Sequence, residues 1–134
     1  MRVEKKQKLA QRRHWRVRHK IAGTAACPRM SVRFTNQNIH VQFIDDTKGL
    51  TLAAVSTTSK SVSDRDKLAA NVKSAEVIGK LAAQVALDKG IRQVVFDRGA
   101  ARYHWTPGKG KEPKPVYGKV AALAQAARAA GLKF

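Results

Sequence analysis

Three segments of the chain have an apolar residue at every second position. They are residues 30–35, 39–43 and 50–54. A period of two is typical of β-strands that bury one face, and short polar turns separate the segments. We therefore predict three antiparallel strands with one apolar face. The other face is polar and carries Ser31, Arg33, His40, Gln42 and Thr51.

Two later segments, residues 72–89 and 119–130, have the apolar spacing of α-helices. Each is followed by a glycine and then an apolar residue, Gly90-Ile91 and Gly131-Leu132, which is typical of a Schellman ending. Residues 93–96 form a short apolar run between them and predict a fourth strand. The predicted order is β-β-β-α-β-α, an α/β fold in which the strand–helix–strand unit favours a parallel crossover.

The two ends of the chain lack these periods. Residues 1–24 carry nine Lys and Arg, one acid and few large apolar residues, so we predict a basic arm that is flexible, or helical once phosphates screen its charge. Residues 98–118 are rich in Gly, Pro and Lys and predict an irregular exposed segment. Residues 25–134 are then a single α/β domain, long enough to bury one core.

The net charge of +18 is concentrated at the two ends. Residues 1–35 have eleven Lys and Arg against one acid, and residues 98–134 have eight against one. Residues 36–97 have eight against seven and are nearly neutral. General solubility does not require such segregation, whereas a surface that contacts nucleic acid does.

Few residues suit catalysis, a cofactor or a metal. Cys27 is the single cysteine, the four histidines are scattered, and no nucleotide-binding or hydrolase motif is present. A divalent-metal nuclease built on Asp45, Asp46 and Asp97 is the alternative, although strand-end aspartates more often cap turns or pair with cations such as Lys48 or Arg98. We expect no enzyme, no cofactor and no small-molecule substrate.

Location is constrained by what the sequence lacks. No apolar run approaches a membrane span, and no apolar segment of a signal peptide follows the basic start. An organellar transit peptide stays open, since these are also rich in Arg. A lone cysteine fits a reducing compartment, so we expect a cytoplasmic protein without a membrane partner.

Basic and aromatic residues alternate in two clusters, as in proteins that bind RNA phosphates and stack on bases. The first cluster is Arg12, Arg13, Trp15, Arg16, Arg18 and Lys20; the second is Arg98, Arg102, Tyr103, His104 and Trp105, joined by Lys109, Lys111, Lys114 and Lys119. The polar sheet face adds Arg33, Asn36, Asn38, His40 and Gln42. Trp15 has an alternative role in docking the arm on the domain. A nonspecific nucleic-acid chaperone is a further alternative.

Several motifs resemble one family over nearly the whole chain. They are RRHWRVRHKIAGT at 12–24, PRMSV at 28–32, TNQNIHVQFIDD at 35–46, NVKSAEVIGKLAAQVALDKGI at 71–91, FDRGAARYH at 96–104 and GKVAALAQAARAAGLKF at 118–134. On these motifs the chain resembles the bacterial-type large-subunit ribosomal protein eighteen family, which binds 5S ribosomal RNA.

The resemblance implies a mixed four-stranded sheet related to the ribonuclease H-like motif, without catalytic acids. It implies a structural role in the central protuberance of the large ribosomal subunit, where the family joins 5S to 23S rRNA. The fifth protein of that subunit, which also binds 5S rRNA, is an implied neighbour. By the same resemblance Arg29 joins the predicted RNA-binding residues.

The chain departs from the family pattern at a few positions. Cys27 stands where an arginine is common, Arg33-Phe34 reverses the usual aromatic-then-Arg order, and Asn38 and His40 replace His and Tyr. Residues 105–117, rich in Lys, Pro and Gly, are an insertion between YH and GKV. We hypothesise that this insertion makes an extra contact with rRNA or protein.

Overall fold

The computed structural model describes residues 1–108 and 114–134. Its elements, in chain order, are α1 (Val3–Arg18), β1 (Arg29–Phe34), β2 (Ile39–Asp45), β3 (Leu50–Ser56), a 3₁₀ turn (Arg65–Lys67), α2 (Val72–Asp88), β4 (Val95–Asp97), β5 (Trp105–Thr106), β6 (Val116–Tyr117) and α3 (Lys119–Ala129). The predicted α/β class and the β-β-β-α-β-α order of the main elements are confirmed.

Strands β1 to β4 form one mixed sheet in the order β3-β2-β1-β4. β1 and β2 are antiparallel, with Met30 opposite Phe43 and Val32 opposite Val41, so that the alternating apolar residues share one face. β3 continues the meander beside β2, and β4 lies parallel to β1 on the other side. The prediction of a mixed four-stranded sheet is therefore confirmed.

The core lies between the apolar face of this sheet and helices α2 and α3. Met30, Phe43, Ile78 and Leu123 are fully buried there, and burying each such side chain contributes about 1.5–3 kcal/mol to folding. The helices approach closely because alanines and a glycine face each other: a Cβ on Gly79 would lie 2.4 Å from the Leu123 carbonyl oxygen. This layer fixes the sheet and leaves its polar face uncovered by α2 and α3.

Local signals define the ends of the two packed helices. The Asn71 side chain accepts a hydrogen bond from the Ser74 N–H at 2.8 Å and caps α2. Beyond α2, the Ile91 N–H donates to the Ala86 carbonyl, and beyond α3 the Leu132 N–H donates to the Ala127 carbonyl. Both are the Schellman bonds expected when glycine follows a helix, so both predicted endings are confirmed.

Two segments are more regular than expected. The arm is helical over α1, with no buried residue, whereas we predicted a helix only once phosphates screen its charge. Residues 98–118 were expected to be irregular throughout, and this is wrong in part: Trp105 pairs with Tyr117 and Thr106 with Val116 in a small antiparallel hairpin. These two-residue strands are short, and the surrounding Gly, Pro and Lys hide them from pattern analysis.

Candidate nucleic-acid interface

The open face of the sheet is polar because of the alternation in β1 and β2. Ser31 lies opposite Gln42, and Arg33 lies opposite His40, so these four side chains share that face. Arg33 and Gln42 are exposed, and Ser31 and His40 are half-buried. The polar face expected from the sequence is thus present, with its side chains available to a ligand.

A groove of about 730 Å³ lies between this face, helix α1 and the loop after β4. None of its lining residues is acidic, and they come from all three segments predicted to bind RNA. The lining residues are Ala10, Gln11, His14, Ser31, Val32, Arg33, Phe34, Thr35, His40, Gln42, Arg98, Gly99, Ala100 and Ala101. The fold therefore joins the arm, the sheet and the C-terminal basic cluster around one cleft.

The loop after β4 is shaped by its own hydrogen bonds. The Asp97 carboxylate accepts from the Gly99 N–H at 2.8 Å, and the Arg98 guanidinium donates to the Ala101 carbonyl at 2.8 Å. Gly99 has φ of +59°, which favours glycine, and a Cβ there would lie 3.6 Å from His14 Nδ1. The turn thus brings Arg98 to the edge of the groove beside α1.

Arg29 has a different position from the other predicted RNA-binding arginines. It is 7% exposed, and its guanidinium donates to both oxygens of Asp46, at 2.8 and 2.9 Å, and to Asp97 at 2.8 Å. These bonds join β1 to the ends of β2 and β4. Arg29 therefore acts as an internal cross-link, and we leave it out of the proposed interface.

Asp46 also ties the arm to the sheet. Its carboxylate accepts from the Gly23 N–H at 2.7 Å and lies 3.4 Å from Arg18 Nη1, and its own N–H donates to the Gly23 carbonyl at 3.0 Å. Gly23 is buried, and a Cβ there would lie 2.3 Å from both Arg29 N and Ile44 O. Only glycine allows this close approach, which sets where the arm leaves the domain.

The network shifts the pKa of its members. The hydrogen bonds from Arg29 hold the pKa of Asp46 well below its ordinary value, and the same bonds raise the pKa of Arg29. At the turn after β2, the Thr47 hydroxyl lowers the pKa of Asp45 by donating to its carboxylate. All three groups are thus charged at neutral pH, and the ion pairs are intact.

The three aspartates do not form a metal centre. Arg29 bridges Asp46 and Asp97, whereas Asp45 caps the turn at Thr47. Within residues 1–108 and 114–134, no group of three or more His, Cys, Asp or Glu side chains is placed to hold a metal ion. The expected turn-capping role is seen for Asp45, but the cation that pairs with Asp46 is Arg29 rather than Lys48 or Arg98.

Most of the predicted RNA-binding residues lie on the surface. The exposed ones are Arg12, Arg13, Trp15, Arg16, Lys20, Arg33, Asn36, Gln42, Arg98, Arg102, His104, Trp105, Lys114 and Lys119. Trp15 is 57% exposed, so the alternative in which it docks the arm on the domain is not what the structure shows. The half-buried ones are Arg18, Asn38, His40 and Tyr103.

All four half-buried residues have partners within the fold, and that of Arg18 is Asp46. Asn38 accepts a hydrogen bond from the Thr57 hydroxyl at 2.9 Å. His40 Nδ1 and the Ser56 hydroxyl are 2.9 Å apart. Tyr103 packs edge to face on Phe96 with ring centroids 6.4 Å apart, and its hydroxyl accepts from Arg128 at 3.2 Å. These residues contribute to the shape of the interface as well as to its polar surface.

Two groove residues were not predicted from the sequence. Gln11 and His14 line the cleft from α1. Residues three apart on a helix share a face, so the sequence could have indicated this pair only if the arm had been known to be helical.

The predicted lysine-rich insertion, residues 105–117, falls only partly within the described part of the structure, because residues 109–113 lie outside it.

Comparison with known proteins decides the family. The family profile described as "Ribosomal L18 of archaea, bacteria, mitoch. and chloroplast" matches residues 4–134. The chain belongs to the ribosomal L18 family. As a member it is a structural, non-enzymatic component of the large ribosomal subunit, and its predicted place in the ribosome is confirmed.

Relatives called "Large ribosomal subunit protein uL18" match the chain over nearly its full length. The one from Limosilactobacillus reuteri is 48% identical over 96% of this chain and 95% of its own length. The one from Petrotoga mobilis is 43% identical over 96% and 95%. The one from Microcystis aeruginosa is 46% identical over the whole of both chains. In the described residues, no helix combines the length and apolar character needed to cross a membrane.

Proposed function

We propose that this ribosomal L18 protein binds 5S rRNA and helps to attach it to 23S rRNA in the central protuberance. The observation that carries the proposal is the groove, because arm, sheet and loop residues from the three predicted RNA-binding segments line it without an acidic side chain. Its neighbour there would be the fifth large-subunit protein. Residues 1–24 would act as the arm and residues 25–134 as the domain that positions it.

Charge is distributed to suit an irregular folded RNA. Arg12, Arg13 and Arg16 are exposed on α1, the helix that contributes other residues to the groove. Guanidinium groups bind phosphates with two parallel hydrogen bonds and also stack on bases. Exposed Trp15 supplies an aromatic surface among them. This helix has no buried residue, so most of its side chains are free to contact a partner.

The groove supports specific contacts in addition to charge. Arg33, His40 and Gln42 lie side by side on rigid strands, so hydrogen-bond donors and acceptors are held at fixed spacing. Fixed polar groups of this kind read base edges or 2′-hydroxyls of unpaired RNA. Arg29 and Asp46 act indirectly, because they hold the strand ends and the start of the arm in place.

The test measures binding of the full chain to 5S rRNA at several salt concentrations, with and without excess transfer RNA. If about eight phosphates are neutralised, log K should fall with log salt at a slope of roughly −6 to −7. Binding that survives the competitor supports a specific 5S partner. Binding that transfer RNA abolishes would contradict the proposal and favour the nonspecific chaperone instead.

A further inference from the structure

The β5–β6 hairpin presents an exposed tryptophan. Trp105 is 54% exposed and Val116, on the opposite strand, is 63% exposed. Burial of a tryptophan side chain is strongly favourable, so a tryptophan that is exposed on an ordered strand indicates a surface that a partner covers. Neither residue lines the groove, so the groove does not account for their exposure.

The hairpin holds this tryptophan in a defined place. Trp105 pairs with Tyr117, and Tyr117 packs against the hydrophobic core. The Gly118 N–H donates to the His104 carbonyl at 2.8 Å, which closes the hairpin at its base. Because its strand is anchored in this way, Trp105 would lose little conformational freedom when it binds a partner.

The charge around the hairpin selects the class of partner. Residues 102–119 contain five Lys and Arg and a single acid, Glu112. Arg102, Lys114 and Lys119 are exposed. A surface that combines an exposed indole with surrounding cations is suited to a base and its flanking phosphates, and aromatic stacking tolerates any base. An apolar protein surface would leave these cations without counter-charges.

We propose that Trp105 stacks on an unpaired base of ribosomal RNA, which gives this chain an RNA contact separate from the groove. Arg102, Lys114 and Lys119 are near it in sequence and supply cations for the neighbouring phosphates. The inference rests on the proposed rRNA-binding function and extends it to a second site. It concerns Trp105, in the segment that we predicted to be an insertion between the YH and GKV motifs.

The experiment probes rRNA in large subunits from cells whose only copy of this chain carries Trp105→Ala. A reagent that acylates the 2′-hydroxyl of flexible nucleotides, whatever their base, should modify one or a few rRNA nucleotides that are protected in subunits with the unchanged chain. Trp105→Phe should keep the protection because it preserves an aromatic face. Val116→Ala is the matched control: it removes exposed apolar surface from the same hairpin without removing a π system, and should leave the pattern unchanged.

Two outcomes would overturn the inference. An identical modification pattern in Trp105→Ala and unchanged subunits would show that no base stacks there. A photo-crosslinker at position 105 that captures a neighbouring ribosomal protein and no rRNA would assign the hairpin to a protein partner. The proposed 5S role is read separately, from binding of the full chain to free 5S rRNA, so failure of one is distinguishable from failure of the other.

Discussion

The two faces of the four-stranded sheet come from the same strands but differ in almost every property. One face carries Met30, Val41 and Phe43 and is covered by α2 and α3. The other carries Arg33 and Gln42 and borders the open groove. Alternation along each strand separates them, so one set of residues supplies stability while the next set stays free for binding.

The same contrast between a stabilising and a binding position occurs within one strand. Arg29 and Arg33 are four residues apart on β1 and share the polar face, but Arg29 is buried between two carboxylates and Arg33 is exposed in the groove. Residue type and face therefore do not decide the role of an arginine in this sheet. The number of carboxylates within reach decides it, and substitutions at the two kinds of position should have different effects.

The largest effect should come from Arg29→Ala. This change leaves Asp46 and Asp97 without their main cation at the ends of β2 and β4, so we expect the free energy of unfolding to fall by about 3–5 kcal/mol. Arg33→Ala should lower it by less than about 0.5 kcal/mol, because an exposed arginine is replaced away from such a network. Urea unfolding of both variants measures the difference, and equal losses would contradict it.

Gly23→Ala should lower the free energy of unfolding by a somewhat smaller amount. The added Cβ would lie 2.3 Å from two backbone atoms, and the strands must move to admit it. Overpacking of this kind costs about 1–3 kcal/mol. Gly49→Ala is a contrasting control, since its Cβ meets open space and only the positive φ is strained. A Gly23→Ala variant as stable as the unchanged chain would refute the close approach of arm and sheet.

A pH effect should follow from Asp46. Because its pKa is lowered in the folded protein, its stabilisation is fully present above the unfolded value of about 3.9 and is lost as pH falls below it. Asp46→Asn should therefore be less stable at neutral pH and should lose less stability between about pH 5 and pH 2. Asp66→Asn is the control, because Asp66 is exposed and makes no hydrogen bond or ion pair among the described residues. Unfolding midpoints of both variants and of the unchanged chain across this pH range test the prediction, and the same pH dependence in Asp46→Asn as in the unchanged chain would contradict it.

Much of the covered side of the molecule could be predicted from the sequence. The period of two in β1 to β3, the helical spacing in α2 and α3 and the glycine endings are local signals, and local hydrogen bonding and one-sided burial cause each of them. The parallel crossover to β4 followed from the strand–helix–strand order, whereas the mixed four-stranded sheet was implied by the family resemblance. These features need no knowledge of distant parts of the chain.

The open side was less predictable because its contacts are long-range. Arg29 meets Asp46, 17 residues away, and Asp97, 68 residues away. No local pattern distinguishes it from Arg33. Gln11 and His14 reach the groove only because α1 is helical and is held at Gly23. The β5–β6 hairpin is set by its anchor at Tyr117 rather than by its own composition.

The most direct measurement compares two charge-matched double variants for binding to 5S rRNA. Arg33→Ala with Arg98→Ala removes two cations that line the groove. Lys73→Ala with Lys80→Ala removes two exposed cations from α2, the helix on the covered side of the sheet. Both pairs change the net charge equally, so a difference between them reports position alone.

The groove pair should weaken binding and reduce the magnitude of the salt slope by about 1.4–1.8, as expected when two phosphate contacts are lost. The α2 pair should leave affinity and slope close to those of the unchanged chain. Equal losses from the two pairs would contradict the account, because the open side would then contribute only its charge and the groove would not be the site of binding.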